Sequence, residues 1–167
     1  MEARFAEPRQ RGESSWKAVG AEMVLRTVEN GNLWGKIKGF EVLVDGVGGK
    51  RYIDILLEIE GVTVRMEVKS WKQMYASTFI KQFIEKDLAS IKNLNELRWV
   101  FDAKYAGMLK EDIIKVLKSN KGKAALNNLP EDVKFRYFPK LDKLIGITDT
   151  EIEIFINSNF TNIFIIH

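Results

Sequence analysis

Apolar side chains recur at steps of three and four residues over positions 15–30, as Trp16, Val19 and Met23 illustrate. This spacing places them on one face of an α-helix. A serine can cap the start of the segment, and Gly31 is a typical residue at a helix end. The pattern therefore predicts a first helix over residues 15–30.

Apolar and polar residues then alternate with a period of two. The alternation covers residues 52–59 and 62–69, which are separated by Glu60 and Gly61, and a shorter run at residues 40–44 precedes them. Such alternation predicts strands, and a two-residue connection containing glycine predicts a hairpin. We expect a three-stranded antiparallel meander.

An amphipathic helix and a short apolar run follow the meander. Residues 77–92 carry apolar side chains on one stripe, and residues 97–101 are typical of a buried strand. The helix is long enough to cross over the sheet and bring this strand back to it.

The second half of the chain is predicted to combine one helix with three strands. The helix is expected over residues 108–119, and the strands over residues 134–138, 151–156 and 162–166, which are rich in β-branched and aromatic residues. The predicted fold class is α/β (α+β) with an added β-rich C-terminal extension.

A chain of 167 residues is long enough for one domain. Residues 1–14 are polar and are expected to form a flexible arm or a junction to a longer chain. Residues 15–167 are predicted to form a single domain with a core at 15–101 and the extension at 102–167.

The hairpin places two acidic residues opposite each other. If Glu60 and Gly61 form the turn, facing residues have numbers that add to 121, so Asp54 lies across from Glu67. Lys69 is two residues beyond Glu67 and shares its face of the sheet. The other face of the hairpin is entirely apolar and is expected to be buried.

Composition narrows the chemistry that these residues can perform. The chain has no cysteine, and its one histidine is the terminal His167, which excludes a thiol nucleophile, a zinc site and a Ser/His triad. The net charge is only +3, but all 26 basic residues lie at or before Lys143. A polyanionic partner is therefore reasonable for the region before the C-terminal segment.

Two carboxylates that face each other need a compensating positive charge, or one of them must have a raised pKa. Hard divalent ions such as Mg²⁺ prefer carboxylate oxygens, a backbone carbonyl and water. A simpler interpretation is that these are solvent-facing residues of a hairpin, with Glu67 paired to Arg65 or Lys69. An acid two residues before a lysine also occurs at Asp102 and Asp132, but without a carboxylate opposite.

The order of these segments resembles the core of the PD-(D/E)XK nuclease superfamily. The resemblance covers roughly residues 15–101 and rests on "RYIDILLE" and "MEVKSW". It implies a restriction-endonuclease-like fold and a nuclease that depends on Mg²⁺ or Mn²⁺. The implied roles are metal binding by Asp54, Glu67 and the Val68 carbonyl, assistance to the attacking water by Lys69, and completion of the catalytic site by Glu22 and Gln82.

Further residues are candidates for substrate binding. Lys36 and Lys38 flank the meander, as does Arg51. Lys81 and Lys86 lie near Gln82. Trp71 follows the strand that carries Lys69. The chain also resembles nuclease effector domains at the C-terminal ends of bacterial contact-dependent inhibition and polymorphic toxins. That resemblance implies a cognate immunity protein as partner.

Two other functions remain open at the level of sequence. One is a non-catalytic module of the same fold that binds nucleic acid or protein, and the other is a structure-selective DNA nuclease such as a junction resolvase. The choice between DNA and RNA also stays open. With no targeting signal and no apolar run long enough for a membrane helix, the chain is expected to act in a cytoplasm, including that of a target cell after delivery within a larger secreted protein.

Overall fold

The computed structural model describes residues 14–167. Within that range the chain forms a mixed five-stranded sheet and six α-helices. The predicted arm, residues 1–14, lies outside the described residues apart from Ser14, with which the first helix begins. Among the described residues, no helix combines the length and the apolar character needed to cross a membrane.

The first half of the chain has the predicted order of elements. It comprises α1 (Ser14–Asn30), β1 (Ile37–Gly46), β2 (Gly49–Ile59), β3 (Val62–Lys69), α2 (Ala76–Phe79), which continues into a π-helix (Ile80–Leu88), and β4 (Leu97–Phe101). Strands β1 and β2 are longer than predicted, and β3 and β4 have the predicted bounds.

The sheet has the strand order β1-β2-β3-β4-β5, where β5 is Phe164–Ile166. The first three strands form the antiparallel meander, whereas β4 runs parallel to β3 and β5 parallel to β4. A parallel neighbour needs a crossover connection, and α2 with the π-helix supplies it between β3 and β4.

The hairpin between β2 and β3 follows directly from its turn residues. Glu60 and Gly61 have φ angles of 52° and 78°, the positive values that a tight two-residue turn of this kind requires. The observed pairs run from Ile55 with Met66 to Ile59 with Val62, so their numbers add to 121 as predicted.

The predicted β-rich extension is wrong, because most of it is helical. After β4 come α3 (Leu109–Lys118), α4 (Asn120–Asn127), α5 (Glu131–Tyr137) and α6 (Asp149–Ile163). Of the three strands expected there, only the last exists, shortened to β5.

The physical reason is clearest in α6, where residues 151–156 were expected to form a strand. The side chain of Thr148 accepts a hydrogen bond from the Glu151 N–H, and Glu151 bonds back to Thr148, which forms a capping box. Ile152 and Ile156 are buried four residues apart, so the segment uses helical spacing despite its β-branched residues. In α5, Val133 and Tyr137 are buried with the same spacing.

Two apolar layers cover the two faces of the sheet. On one face, Met23 and Val28 of α1 pack with Ile55, Val64 and Met66. On the other face, the π-helix and the C-terminal helices pack against β4. The extension therefore covers the same face of the sheet as the crossover helix and adds β5 to its edge.

Candidate active site

Glu67 and Lys69 are buried, with only 4% and 8% of their surface exposed. They lie on the face of the sheet opposite to α1, because side chains alternate along β3 and Met66 faces α1. The parallel register places Glu67 beside Trp99. The interpretation of these residues as a solvent-facing part of a hairpin is therefore wrong, although Glu67 and Lys69 do pair.

Asp54 joins the cluster through a hydrogen bond to the backbone of β3. Its Oδ2 accepts from the Val68 N–H at 2.7 Å. In an antiparallel pair the N–H and C=O of one residue point to the same neighbouring strand. The Val68 carbonyl therefore faces β2, on the side where Asp54 lies.

The ammonium group of Lys69 has three partners. It donates hydrogen bonds to Oε2 of Glu67 and to Oε1 of Gln82, both at 2.9 Å. It also lies 4.6 Å from the centre of the Trp99 ring, within the range of a cation–π interaction. Three of the sequence-predicted catalytic residues, Glu67, Lys69 and Gln82, are thus in direct contact.

Arg51 and Asp87 complete the cluster. The Arg51 guanidinium donates one hydrogen bond to Glu67 Oε1 and another to Asp87 Oδ1. The second oxygen of Asp87 accepts from the Trp99 indole N–H at 2.8 Å. Sequence reasoning placed Arg51 only among the basic residues near the meander.

Asp87 was missed altogether, although a signal was present. It lies four residues after Phe83 and three after Ile84, on the apolar stripe of the helix. A carboxylate within an apolar stripe indicates a buried polar partner. Its partner, however, lies 36 residues earlier in the sequence, which the stripe could not reveal.

The π-helix is what brings Gln82 and Asp87 to one site. Residues five apart in an α-helix point about 140° away from each other, since each residue turns by about 100°. Hydrogen bonding from i to i+5 widens the helical turn, so residues five apart point in much more similar directions than in an α-helix. Both side chains can therefore contact residues held by the strands.

Burial changes the acidity of two of these carboxylates. The pKa of Asp54 is raised by burial and next by the nearby Glu67, against the Val68 hydrogen bond and the cations. Burial also raises the pKa of Asp87 to about 6, although Arg51 opposes this shift. With all groups ionised, the cluster holds three carboxylates and two cations, because Asp54, Glu67 and Asp87 face Arg51 and Lys69.

The oxygen atoms of this cluster are of the types that bind hard divalent ions. Asp54, Glu67 and the Val68 carbonyl offer carboxylate and carbonyl oxygens, which Mg²⁺ and Mn²⁺ prefer. Both Glu67 oxygens are engaged by cationic side chains. Within residues 14–167, no three His, Cys, Asp or Glu side chains converge as a metal-binding group.

The remaining predicted residues lie apart from this cluster or only border it. Glu22 is exposed on α1, which packs on the opposite face of the sheet, so α1 does not bring it to Glu67. Lys38 is exposed and forms an ion pair with Glu58 at 2.9 Å. Lys36 and Lys81 are exposed.

Trp71 and Lys86 are both half-buried. The Trp71 ring packs edge-to-face against Trp99 and Phe101, with ring centres 6.0 and 5.8 Å apart. Trp71 thus belongs to the aromatic layer that supports the cluster, and its predicted contact with substrate stays a prediction.

The acidic residues of the other two acid-x-lysine sequences form ion pairs elsewhere in the structure. Asp102 binds Arg26 of α1 at 3.1 Å, and Asp132 binds Arg136 one helical turn away at 3.2 Å. Both therefore have structural partners away from Glu67.

Comparison of the chain with models of known protein families, with curated proteins and with solved structures found no match.

Proposed function

We propose that this protein is a metal-dependent nuclease that hydrolyses phosphodiester bonds of DNA or RNA. The observation that carries the proposal is the convergence of Asp54, Glu67, Lys69 and Gln82 from two strands and the crossover helix. The order helix, meander, helix and parallel strand supports the restriction-endonuclease-like core that the sequence resemblance implies.

The proposed metal ligands are Asp54, Glu67 and the Val68 carbonyl. A bound Mg²⁺ or Mn²⁺ would polarise the phosphate and lower the pKa of a water molecule. Lys69 would hold that water or neutralise charge that develops on the phosphate oxygens. Gln82 and Glu67 fix the position of the ammonium group, so that its orientation is set before substrate arrives.

Cleavage assays test this proposal directly. Plasmid DNA, tRNA and ribosomal RNA are incubated with the purified protein and Mg²⁺, with EDTA as the metal-free control. Asp54→Asn and Lys69→Met are expected to reduce cleavage by at least 100-fold, because each removes a group at the reacting centre. Glu58→Gln, which changes an exposed acid on the same strand, is the matched control. If folded Asp54→Asn and Lys69→Met proteins cleave as fast as the wild type, the proposal fails.

The narrower proposal is that the chain is a toxin effector domain neutralised by an immunity protein. It predicts that production in a bacterial cytoplasm without that partner stops growth, and that Asp54→Asn restores growth at the same protein level. Growth arrest that persists with Asp54→Asn would contradict it.

One observation favours a second candidate, the non-catalytic binding module. Glu67 is buried and both its oxygens already have cationic partners, so the charge of Glu67 is compensated without a metal. Calorimetric titration with Mn²⁺ separates the two candidates. The nuclease is expected to bind Mn²⁺ and to lose binding with Glu67→Gln, whereas the module is expected to give no signal.

A further inference from the structure

Arg51 binds Glu67, a carboxylate that the proposed function assigns to the metal. Its guanidinium group bonds to Glu67 Oε1, and the side chains are only 11% and 5% exposed. A buried carboxylate needs a cationic or hydrogen-bonding partner. Arg51 and Lys69 together give Glu67 that compensation in the metal-free protein.

A divalent ion at Asp54 and Glu67 would compete with Arg51. Lys69, which the proposed function keeps at the reacting centre, holds Oε2 of Glu67, so Oε1, the oxygen that Arg51 holds, is the one left for the ion. Two cations at such short range also repel each other, so metal binding is expected to weaken or break the Arg51–Glu67 contact.

Asp87 gives Arg51 a second anchor that metal binding leaves intact. It binds the other nitrogen of the guanidinium through Oδ1, and its Oδ2 is fixed by the Trp99 indole. Asp87 is 1% exposed, so it is held in place by its surroundings. Arg51 can release Glu67 and still keep a buried carboxylate partner.

We infer that Arg51 is an internal counter-ion that competes with the divalent metal for Glu67, and that Asp87 retains Arg51 when the metal binds. The inference rests on the proposed function, since it takes Asp54 and Glu67 as metal ligands. Arg51 sets the affinity for the metal, and Asp87 acts as a positioning residue.

The double variant Arg51→Met/Asp87→Asn isolates the competition. It removes one positive and one negative charge, so the net charge of the cluster is the same as in the wild type. Any change in metal affinity then reports the loss of the competing guanidinium and not a change in total charge. Calorimetric titration with Mn²⁺ is expected to show binding at least tenfold tighter than in the wild type.

Two further variants serve as controls. Arg65→Met removes a cation from the same face of β3 and is expected to change Mn²⁺ affinity less than threefold. Asp87→Asn alone leaves Glu67 as the only carboxylate that binds Arg51, so Mn²⁺ is expected to bind at least threefold more weakly. Circular dichroism verifies that each protein is folded.

Arg51→Lys covers the case in which the double variant does not fold. It keeps the positive charge, but one ammonium group cannot span two carboxylates as the guanidinium fork does. Mn²⁺ is expected to bind at least threefold more tightly to it. The inference is overturned if the folded double variant binds Mn²⁺ no more tightly than the wild type. If the double variant does not fold, the same criterion applies to Arg51→Lys.

Glu67→Gln distinguishes failure of the inference from failure of the proposed function. If Glu67→Gln abolishes Mn²⁺ binding while removal of Arg51 has no effect, the metal site stands and the competition is wrong. If Glu67→Gln binds Mn²⁺ as tightly as the wild type does, the metal site itself is wrong. The same holds if neither the wild type nor any variant binds Mn²⁺, and in both cases the inference fails with the metal site.

Discussion

The ammonium group of Lys69 is hydrogen-bonded to the side-chain oxygen of Gln82, 2.9 Å away across the gap between β3 and the π-helix. This contact fixes the direction in which the lysine presents its charge. A residue that only orients Lys69 should influence turnover more than substrate binding.

Gln82→Leu is therefore expected to lower kcat about tenfold to a hundredfold with little change in KM, since a hydrogen bond to a charged group contributes about 1.5–3 kcal/mol. Steady-state cleavage of a fluorescent oligonucleotide measures both constants. Gln73→Leu, which alters an exposed glutamine, is the control. An unchanged kcat in folded Gln82→Leu would show that the contact does not position Lys69 for catalysis.

Arg51→Met alone should destabilise the fold by about 3–5 kcal/mol. The change leaves Asp87 without its cation and Glu67 with only Lys69, and an unpaired buried carboxylate is costly. Urea unfolding of the metal-free protein measures the free energy of unfolding. In Arg51→Met/Asp87→Asn much of this loss should be recovered, because one of the carboxylates is neutral. Equal losses in the single and double variants would argue against a coupled pair.

The raised pKa of Asp87 predicts a pH dependence of stability. Because its pKa rises from 3.8 to about 6 on folding, the folded protein binds this proton more tightly than the unfolded chain. The stabilisation that protonated Asp87 gives the fold is therefore present at low pH and is lost as the pH rises through about 6. The free energy of unfolding falls by roughly 3 kcal/mol at most over this range. Arg51, Glu67 and Lys69 are the charged groups that act on it.

Urea unfolding between pH 4 and 7.5 without metal tests this dependence. Asp87→Asn removes the titrating group, so the stability of the wild type relative to Asp87→Asn should fall as the pH rises. A difference that stays constant over the range would mean that Asp87 does not titrate there.

The capping box of α6 gives a prediction about the extension. Thr148→Ala removes the side-chain acceptor of the Glu151 N–H and should cost about 1 kcal/mol of stability. Thr161→Ala, at an exposed position near the other end of the same helix, should change stability by less than half as much. Urea unfolding of both variants measures the difference, and equal effects would contradict a stabilising role for the cap.

The hairpin was predictable because its information is local. The alternation of β2 and β3 and the turn at Glu60 and Gly61 determine the register, and the register predicts where Asp54 and Glu67 lie. Residues 151–156 of α6 were predicted to form a strand because the segment is rich in β-branched and aromatic residues, which favour strands. The spacing of Ile152 and Ile156 and the cap at Thr148 outweigh that propensity.

The remainder of the cluster depends on contacts between distant parts of the chain. The burial of Glu67 results from the parallel pairing with β4 and from the covering helix, neither of which leaves a periodic signal in β3. The placing of Gln82 and Asp87, five residues apart, at one site further depends on the π-helical geometry, which apolar spacing alone does not distinguish from an α-helix. Sequence patterns therefore found the residues on the strands more readily than their partners on the helix.

Trp99 gives this cluster an optical signal of its own. Its indole N–H is bonded to Asp87, and its ring lies beside the Lys69 ammonium, so both neighbours that polarise the ring belong to the cluster. Fluorescence from this fully buried tryptophan should lie at shorter wavelength than that from the exposed Trp34. Any rearrangement of charge among these residues should thus be visible in the intrinsic emission of the protein, without a label and without a substrate.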